Sequence, residues 1–331
     1  MQPFSAHFAA VGGAQELLDD PHVLALIEFG GAGDEGGTDP RRITVGLPQL
    51  GPSPLVEVWK SAMPVVSGVR GPVSYSRNDQ VLLGHLSVDE RDFPGLEEAT
   101  RHAYESILGF ACEMGFPHYL RIWNYIPDIN GEENGVERYK RFCVGRHVCL
   151  EKLAVPEHRL PAASGVGSPS DRLLIYFLAA RDAGIQVENP RQVSAFHYPP
   201  QYGPRSPTFS RAMVKDWGAG KHLYISGTAS IIGHESRHRD DVLPQLTESL
   251  RNMSTLVKSA ETEHGVAIHA LAELSQVKVY VRDEQDHAAV RRHLHAQLGK
   301  QVPVIYLGAD LCRKNLLVEV EGLYAGSPRA P

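Results

Sequence analysis

The chain has 331 residues, 42% of them hydrophobic and 22% charged, which places it among folded globular proteins with room for two domains. A formal net charge of -6 argues against nucleic acid or an anionic membrane as the main partner, yet allows a small anion held by local arginines. Nowhere do about 18 apolar residues follow one another, so no membrane span is expected.

The N-terminus, M-Q-P-F-S-A-H-F, has neither a basic stretch nor a long apolar run, so no signal peptide is expected. Four cysteines without a C-x-x-C pair predict neither a zinc knuckle nor a disulfide framework, and reduced thiols suit a cytoplasmic protein. Residues 1 to about 70 are rich in glycine and proline. The glycine cluster from Gly30 to Gly37 carries acidic residues and leads into no helix, so it reads as a loop between short strands, not a phosphate loop.

A regular pattern begins at Val73. Tyr75 to Asn78 precede a strand at Val81 to Leu83, then a helix spans about Gly95 to Met114 with apolar residues at helical spacing. A strand at Tyr119 to Ile126, a helix at about Val136 to Leu150, a loop at Leu160 to Gly167 and a strand at Arg172 to Ala180 follow. The order then recurs: a strand from Leu223 to Ser226 and beyond, a helix from about Asp241 to Ala260, a strand at Val277 to Val281, a helix at Asp286 to Leu298, then Val302 to Leu307 and a strand at Asn315 to Tyr324. Gly84 answers Gly227 (227 − 84 = 143) and Tyr176 answers Glu319 (319 − 176 = 143), while Ser76-Arg77 answers Ser210-Arg211 (210 − 76 = 134) with a longer loop following. A duplicated unit accounts for both equal offsets. The last residues, S-P-R-A-P, read as a frayed tail.

The strand Asn315 to Tyr324 alternates, with Leu317, Glu319 and Glu321 on one face and Leu316, Val318 and Val320 on the other. Two carboxylates on an apolar strand call for a wet face or a site. Glu319 reads as the functional one, since its counterpart is Tyr176; Glu321 reads as a solvated residue near an edge-strand end. His234-Glu-Ser-Arg-His238 fits H-E-x-x-H, but Gly233 precedes it and the helix begins only near Asp240 and Asp241, so a zinc site is not expected.

Between the copies, Phe196 to Ala212 is stiffened by prolines and presents Tyr198, Tyr202, Arg205 and Arg211. Guanidinium forks and phenols suit an organic carboxylate, although Tyr202 and Arg205 could equally brace the linker. On the helix near Val136 to Leu150, Tyr139, Cys143 and Arg146 share a face, which reads as a second carboxylate site or as a helix-surface pair.

Together, P-T-F-S-R-A, L-Y-I-S-G-T-A, Q-L-T-E-S-L-R-N-M and L-L-V-E-V-E resemble the RidA/YjgF fold. From W-N-Y-I-P-D-I-N through F-C-V-G-R and S-G-T-A-S-I-I-G-H, roughly residues 55 to 325 resemble the chorismatases, nearest the branch that makes both 3- and 4-hydroxybenzoate. The resemblance implies an α+β protein of two RidA/YjgF-like (chorismate-mutase-like) domains, 1–190 and 191–331, each a mixed sheet with helices on one face. It further implies a cofactor-free and metal-free enzyme that releases pyruvate from chorismate. Tyr139, Arg146, Tyr198 and Arg211 match family substrate-binding positions, and Glu319 matches the general acid that protonates the enol ether's methylene carbon. Cysteine at 312 is similar to members that aromatise to 3-hydroxybenzoate, whereas Ala229 stands where pure 3-hydroxybenzoate formers resemble one another in having glycine. A monomer is expected, with a trimer as the alternative, because RidA proteins are trimers and a duplication can supply such an interface within one chain. Rival readings are imine or enamine hydrolysis of the simple RidA kind, and a regulator that binds the metabolite without consuming it.

Overall fold

The computed structural model describes residues 2–12, 14–30 and 39–326. Most of the glycine cluster and the C-terminal tail therefore lie outside the described residues. Among the described residues the chain builds three large sheets and two short two-stranded ones. The glycine- and proline-rich beginning, read as a leader with loops, forms a sheet of its own. Phe4–Ala10, Leu55–Ser61, Val23–Phe29 and Arg42–Val45 lie side by side in that order, the last pair parallel. The alternation that makes it a sheet is visible in V-E-V-W: Val56 and Val58 face Leu18, Val23 and Leu26, while Glu57 and Trp59 face the rest of the molecule.

The two repeats become two six-stranded sheets of matching topology. In the first, the order is Ala162–Ser168, His118–Pro127, Arg172–Ala180, Val81–Asp89, Val73–Arg77 and Val66–Arg70. In the second, it is Val304–Gly308, Gln276–Val281, Val318–Ala325, Lys221–Ala229, Ala212–Asp216 and Ile185–Val187. Each has one parallel pair, at the same end. Helices Leu96–Glu113 and Arg138–Lys152 cover one face of the first sheet, and Val242–His264 and His287–Leu298 cover one face of the second. The α+β architecture and the mixed sheets with helices on one face are as expected. The helix-free faces meet each other and the N-terminal sheet in a shared core that includes Trp59, Trp123, Tyr176, Tyr224 and Tyr280.

Several expectations need correction. Leu160 to Gly167 is not a loop but contains the strand Ala162–Ser168, paired parallel to His118–Pro127. Its small residues have little strand propensity, and the tight burial between the two repeats overrides it. Ladder register places Arg77 opposite Leu82 and Ala212 opposite Ile225, so the third offset is 212 − 77 = 135 instead of 134. The added residues lie in paired strand positions, carrying the second hairpin's ladder on to Asp216 and Lys221, not in a loop. The C-terminal ladder begins only at Val318, so Leu316 and Leu317 fall outside it and exchange the faces expected of them: Leu316 joins the inter-sheet core and Leu317 packs on the helix side. Val318–Ala325 lies at the centre of its sheet, not at an edge.

Candidate active site between the two repeats

The site forms where the second ladder breaks register. In the first repeat Gly84 pairs with Phe177; in the second, Ile225 pairs with Gly322 but Thr228 with Val320, so Ser226 and Gly227 form a bulge. The bulge sets Ala229 opposite Glu319 and brings the Gly227 backbone against the carboxyl group. A Cβ at Gly227 would overlap Glu319 Oε1, so only glycine leaves the acid its place.

Glu319 and Glu321 both point into the inter-sheet face, each 4% exposed. Glu321 is therefore no solvated residue. Its Oε2 accepts from Arg121 Nη2 (2.7 Å) and Ser164 Oγ (2.6 Å), its Oε1 accepts from Trp123 Nε1 (2.7 Å), and Lys278 Nζ lies 3.4 Å away. Arg121 stands opposite Leu178 and Lys278 opposite Glu321, and Leu178 and Glu321 are themselves 143 residues apart, so the two cations occupy equivalent places in the two repeats. Lys278 also pairs with Glu57 of the N-terminal sheet at 2.7 Å and donates to Tyr176, the counterpart of Glu319, at 2.9 Å. Two cations and two anions thus balance in a dry core: Arg121, Lys278, Glu57 and Glu321.

Glu319 would be a third anion there. Burial, then the Glu321 charge beside it, pushes its carboxyl up to about 8 despite the opposing pull of Arg121 and Arg211. For Glu321 burial also works against the charge, but Arg121, Lys278 and the Ser164 and Trp123 hydrogen bonds outweigh it and hold the group below its ordinary value. Two carboxyl groups on one strand face are thereby pushed apart, one neutral and one ionised at pH 7.

Glu319 lines a cavity of about 160 Å³, and every site residue singled out in the sequence lines it too: Cys312, Tyr139, Arg146, Tyr198, Tyr202, Arg205, Arg211 and Ala229. The two arginine-tyrosine clusters are not separate sites but walls of one cavity. Helix Arg138–Lys152 carries Tyr139 and Arg146 and is set by Gly145, where a Cβ would overlap the Glu97 carbonyl of the neighbouring helix. Arg146 is buried over Phe142 (5.1 Å) and Tyr104 (5.9 Å), and its Nε and Nη2 have no hydrogen-bond partner among the described residues. Arg211 Nη2 donates to Tyr198 Oη and the Val193 carbonyl, both at 2.8 Å, and its Nε is likewise unpartnered. Buried N–H groups held open in this way suit an incoming anion. Tyr202 both lines the cavity and braces its surroundings, sharing a 3.0 Å hydrogen bond with His234 Nδ1. Arg205 reaches the rim, half exposed, 4.0 Å from Glu151.

The two thiols that line the cavity are neutral. Burial, with Glu319 adding to it, pushes Cys312 up to about 12, and burial pushes Cys143 up to about 11. In the H-E-x-x-H segment, Glu235–Ser236 pairs with Ile231–Ile232, and the helix starts at Val242. The two histidines have different partners: His234 meets Tyr202, and His238 Nε2 lies 3.6 Å from Glu248. Asp241 occupies the N-cap position, but its side chain makes no capping bond.

Sequence reasoning missed Arg313, Ser164, Arg121 and Lys278. Arg313 stacks on Tyr202 at 4.2 Å and donates to the His234 carbonyl, so it joins the linker to the loop that bears Cys312. That loop is held by Arg282, which bonds the Leu316 and Arg313 carbonyls, and by Gln245, which bonds Asn315 and Leu317. Two cations alternating inward on central strands, in L-R-I-W and V-K-V-Y, were the available signal for Arg121 and Lys278.

The family model of the N-terminal part of FkbO/Hyg5-like chorismatases matches residues 57–179. A protein of Streptomyces hygroscopicus named 3-hydroxybenzoate synthase is 36% identical over 82% of this chain and 81% of its own length. A second protein of that organism, named chorismatase, is 36% identical over 95% of this chain and 92% of its own. The chain belongs to the chorismatase family. A chorismatase crystal structure, 35% identical, matches 98% of this chain and 99% of its own with a TM-score of 0.90, so the fold extends over the whole chorismatase chain. Among the described residues, no helix is long and apolar enough to cross a membrane.

Proposed function

We propose that this chorismatase converts chorismate to hydroxybenzoate and pyruvate, with Glu319 as the acid. One observation carries the reading: a carboxyl group kept neutral near pH 7 faces a cavity with two buried arginines, each keeping at least one N–H group without a partner among the described residues. The names of the relatives point to the same substrate. Chorismate has two carboxylates, and Arg146 with Tyr139 and Arg211 with Tyr198 offer a receptor for each. Protonated Glu319 gives its proton to the enol ether's methylene carbon. The π pair forms the new C–H bond, positive charge gathers on the ether-bearing carbon, and Glu319 is left as a carboxylate. Water adds at that carbon, one of its protons restores Glu319 and the other passes to the ring oxygen as the bond to it breaks, and pyruvate leaves. The dihydroxy ring acid then loses water to become hydroxybenzoate, so the water consumed is returned and no cofactor is required.

Cys312 is assigned to the aromatising step as a neutral thiol, and Ala229, opposite Glu319, to the balance between 3- and 4-hydroxybenzoate. The division at about residue 190 and a cytoplasmic, monomeric protein belong to the same proposal. Both repeats wall the cavity, Arg146 from one and Glu319 from the other, so one chain suffices to close it. Incubation with chorismate followed by chromatography is expected to yield pyruvate and hydroxybenzoate in equal amounts; chorismate recovered intact would refute the reading.

A further inference from the structure

Behind the wall that bears Arg146 lies a second cavity of about 520 Å³, mostly apolar, walled by helices Leu96–Glu113 and Arg138–Lys152 and strand His118–Pro127. The partition between the cavities is thin. Arg146 and Ala163 border both, and in the Pro207–Phe209 segment Pro207 and Phe209 face the catalytic cavity while Thr208 faces the other. The second cavity is lined by Leu108, Tyr119, Ile122, Leu150 and Met213, a surface suited to a ring. Thr208 Oγ1, buried and without a partner among the described residues, lines it. His118 and Arg159 line it as well, with Glu113 as the opposing charge.

We propose that this cavity binds an aromatic monocarboxylate, the chemical class of the product, as a second site back to back with the catalytic one. The proposal rests on the function given above only for the identity of that acid. An apolar slot bordered by the Arg159 guanidinium recognises a benzoate ring by its face and its carboxylate by the fork.

The cavity carries its own reporter, because exposed Cys112 lies on its lining and the other three cysteines are less accessible. In the full chain, 3-hydroxybenzoate is expected to slow alkylation of Cys112 by iodoacetamide about tenfold at ten times its dissociation constant, whereas benzyl alcohol, which lacks the carboxylate, is not. Gly109 offers a control, since a Cβ there meets open space. Gly109→Trp is expected to fill the slot and remove the protection. In turnover, 3-hydroxybenzoate is expected to inhibit wild type in a mixed manner, lowering kcat and raising KM, and Gly109→Trp competitively only. Unchanged Cys112 alkylation in the presence of 3-hydroxybenzoate, or purely competitive inhibition of wild type, would overturn the proposal. Failure to consume chorismate would sink the catalytic reading instead, and Cys112 protection would still decide the second site.

Discussion

Glu319 is neutral because burial and the Glu321 charge beside it outweigh the pull of Arg121 and Arg211. The proton it carries is the one the proposed reaction spends. Glu319→Gln is expected to cut pyruvate release by at least about a hundredfold with the fold intact, read by a coupled pyruvate assay beside circular dichroism. Because the acid form is the active one, kcat should hold from pH 6 to 7 and fall as pH rises through about 8. The sign for stability is the same. A carboxyl raised above its unfolded value favours folding below that value and loses the advantage as pH climbs to about 8. Wild type should therefore lose stability across that window relative to Glu319→Gln, as urea titrations at several pH values would reveal. Cys312, a neutral thiol beside the acid, gives a separate prediction: Cys312→Ala should keep pyruvate release and lose 3-hydroxybenzoate.

The decisive element is the bulge at Ser226 and Gly227. It shifts one strand of the second repeat by one residue against Val318–Ala325, a shift that the first repeat lacks at Gly84 and Phe177. The equal offsets at Gly84/Gly227 and Tyr176/Glu319 are true of the sequence, yet equal spacing says nothing of whether a ladder slips between the two landmarks. Gly227→Ala puts a methyl group where Glu319 Oε1 sits, and an acid displaced by about an ångström should lower kcat roughly a hundredfold with little change in KM. Steady-state kinetics on chorismate would decide this, and a variant that keeps full kcat would show that the bulge can relax without cost.

For the whole molecule, the N-terminal sheet matters more than its composition suggests. It closes the helix-free faces of both repeats and supplies Glu57, which pairs with Lys278 in the core and accepts from Gln276 Nε2 at 2.5 Å and Trp59 Nε1 at 3.1 Å. Lys278→Met leaves Glu57 without its cation in a dry site, and removing one partner of a buried pair costs about 3 to 5 kcal/mol. Urea unfolding at pH 7 should register that loss, and a change below about 1 kcal/mol would contradict the pairing described.

Periodicity and duplication, both local properties of the chain, determined the two α+β repeats and the helix starts within about two residues, and they pointed to Glu319 over the Tyr176 position. The arginines and tyrosines were also legible, because residue type and helical spacing carry their chemistry. What only the tertiary structure decided is whatever depends on residues far apart in the chain. Glu321 looked solvated because nothing near it in sequence says that Arg121, from the sheet of the other repeat, and Lys278, from the neighbouring strand, converge on it. Two clusters became one cavity because the repeats pack face to face, and small residues such as Ala162 to Ser168 became a strand because that packing leaves no space for larger ones. A strand's alternation fixes which way a carboxyl group points; whether it keeps its proton depends on the charges that the fold gathers around it.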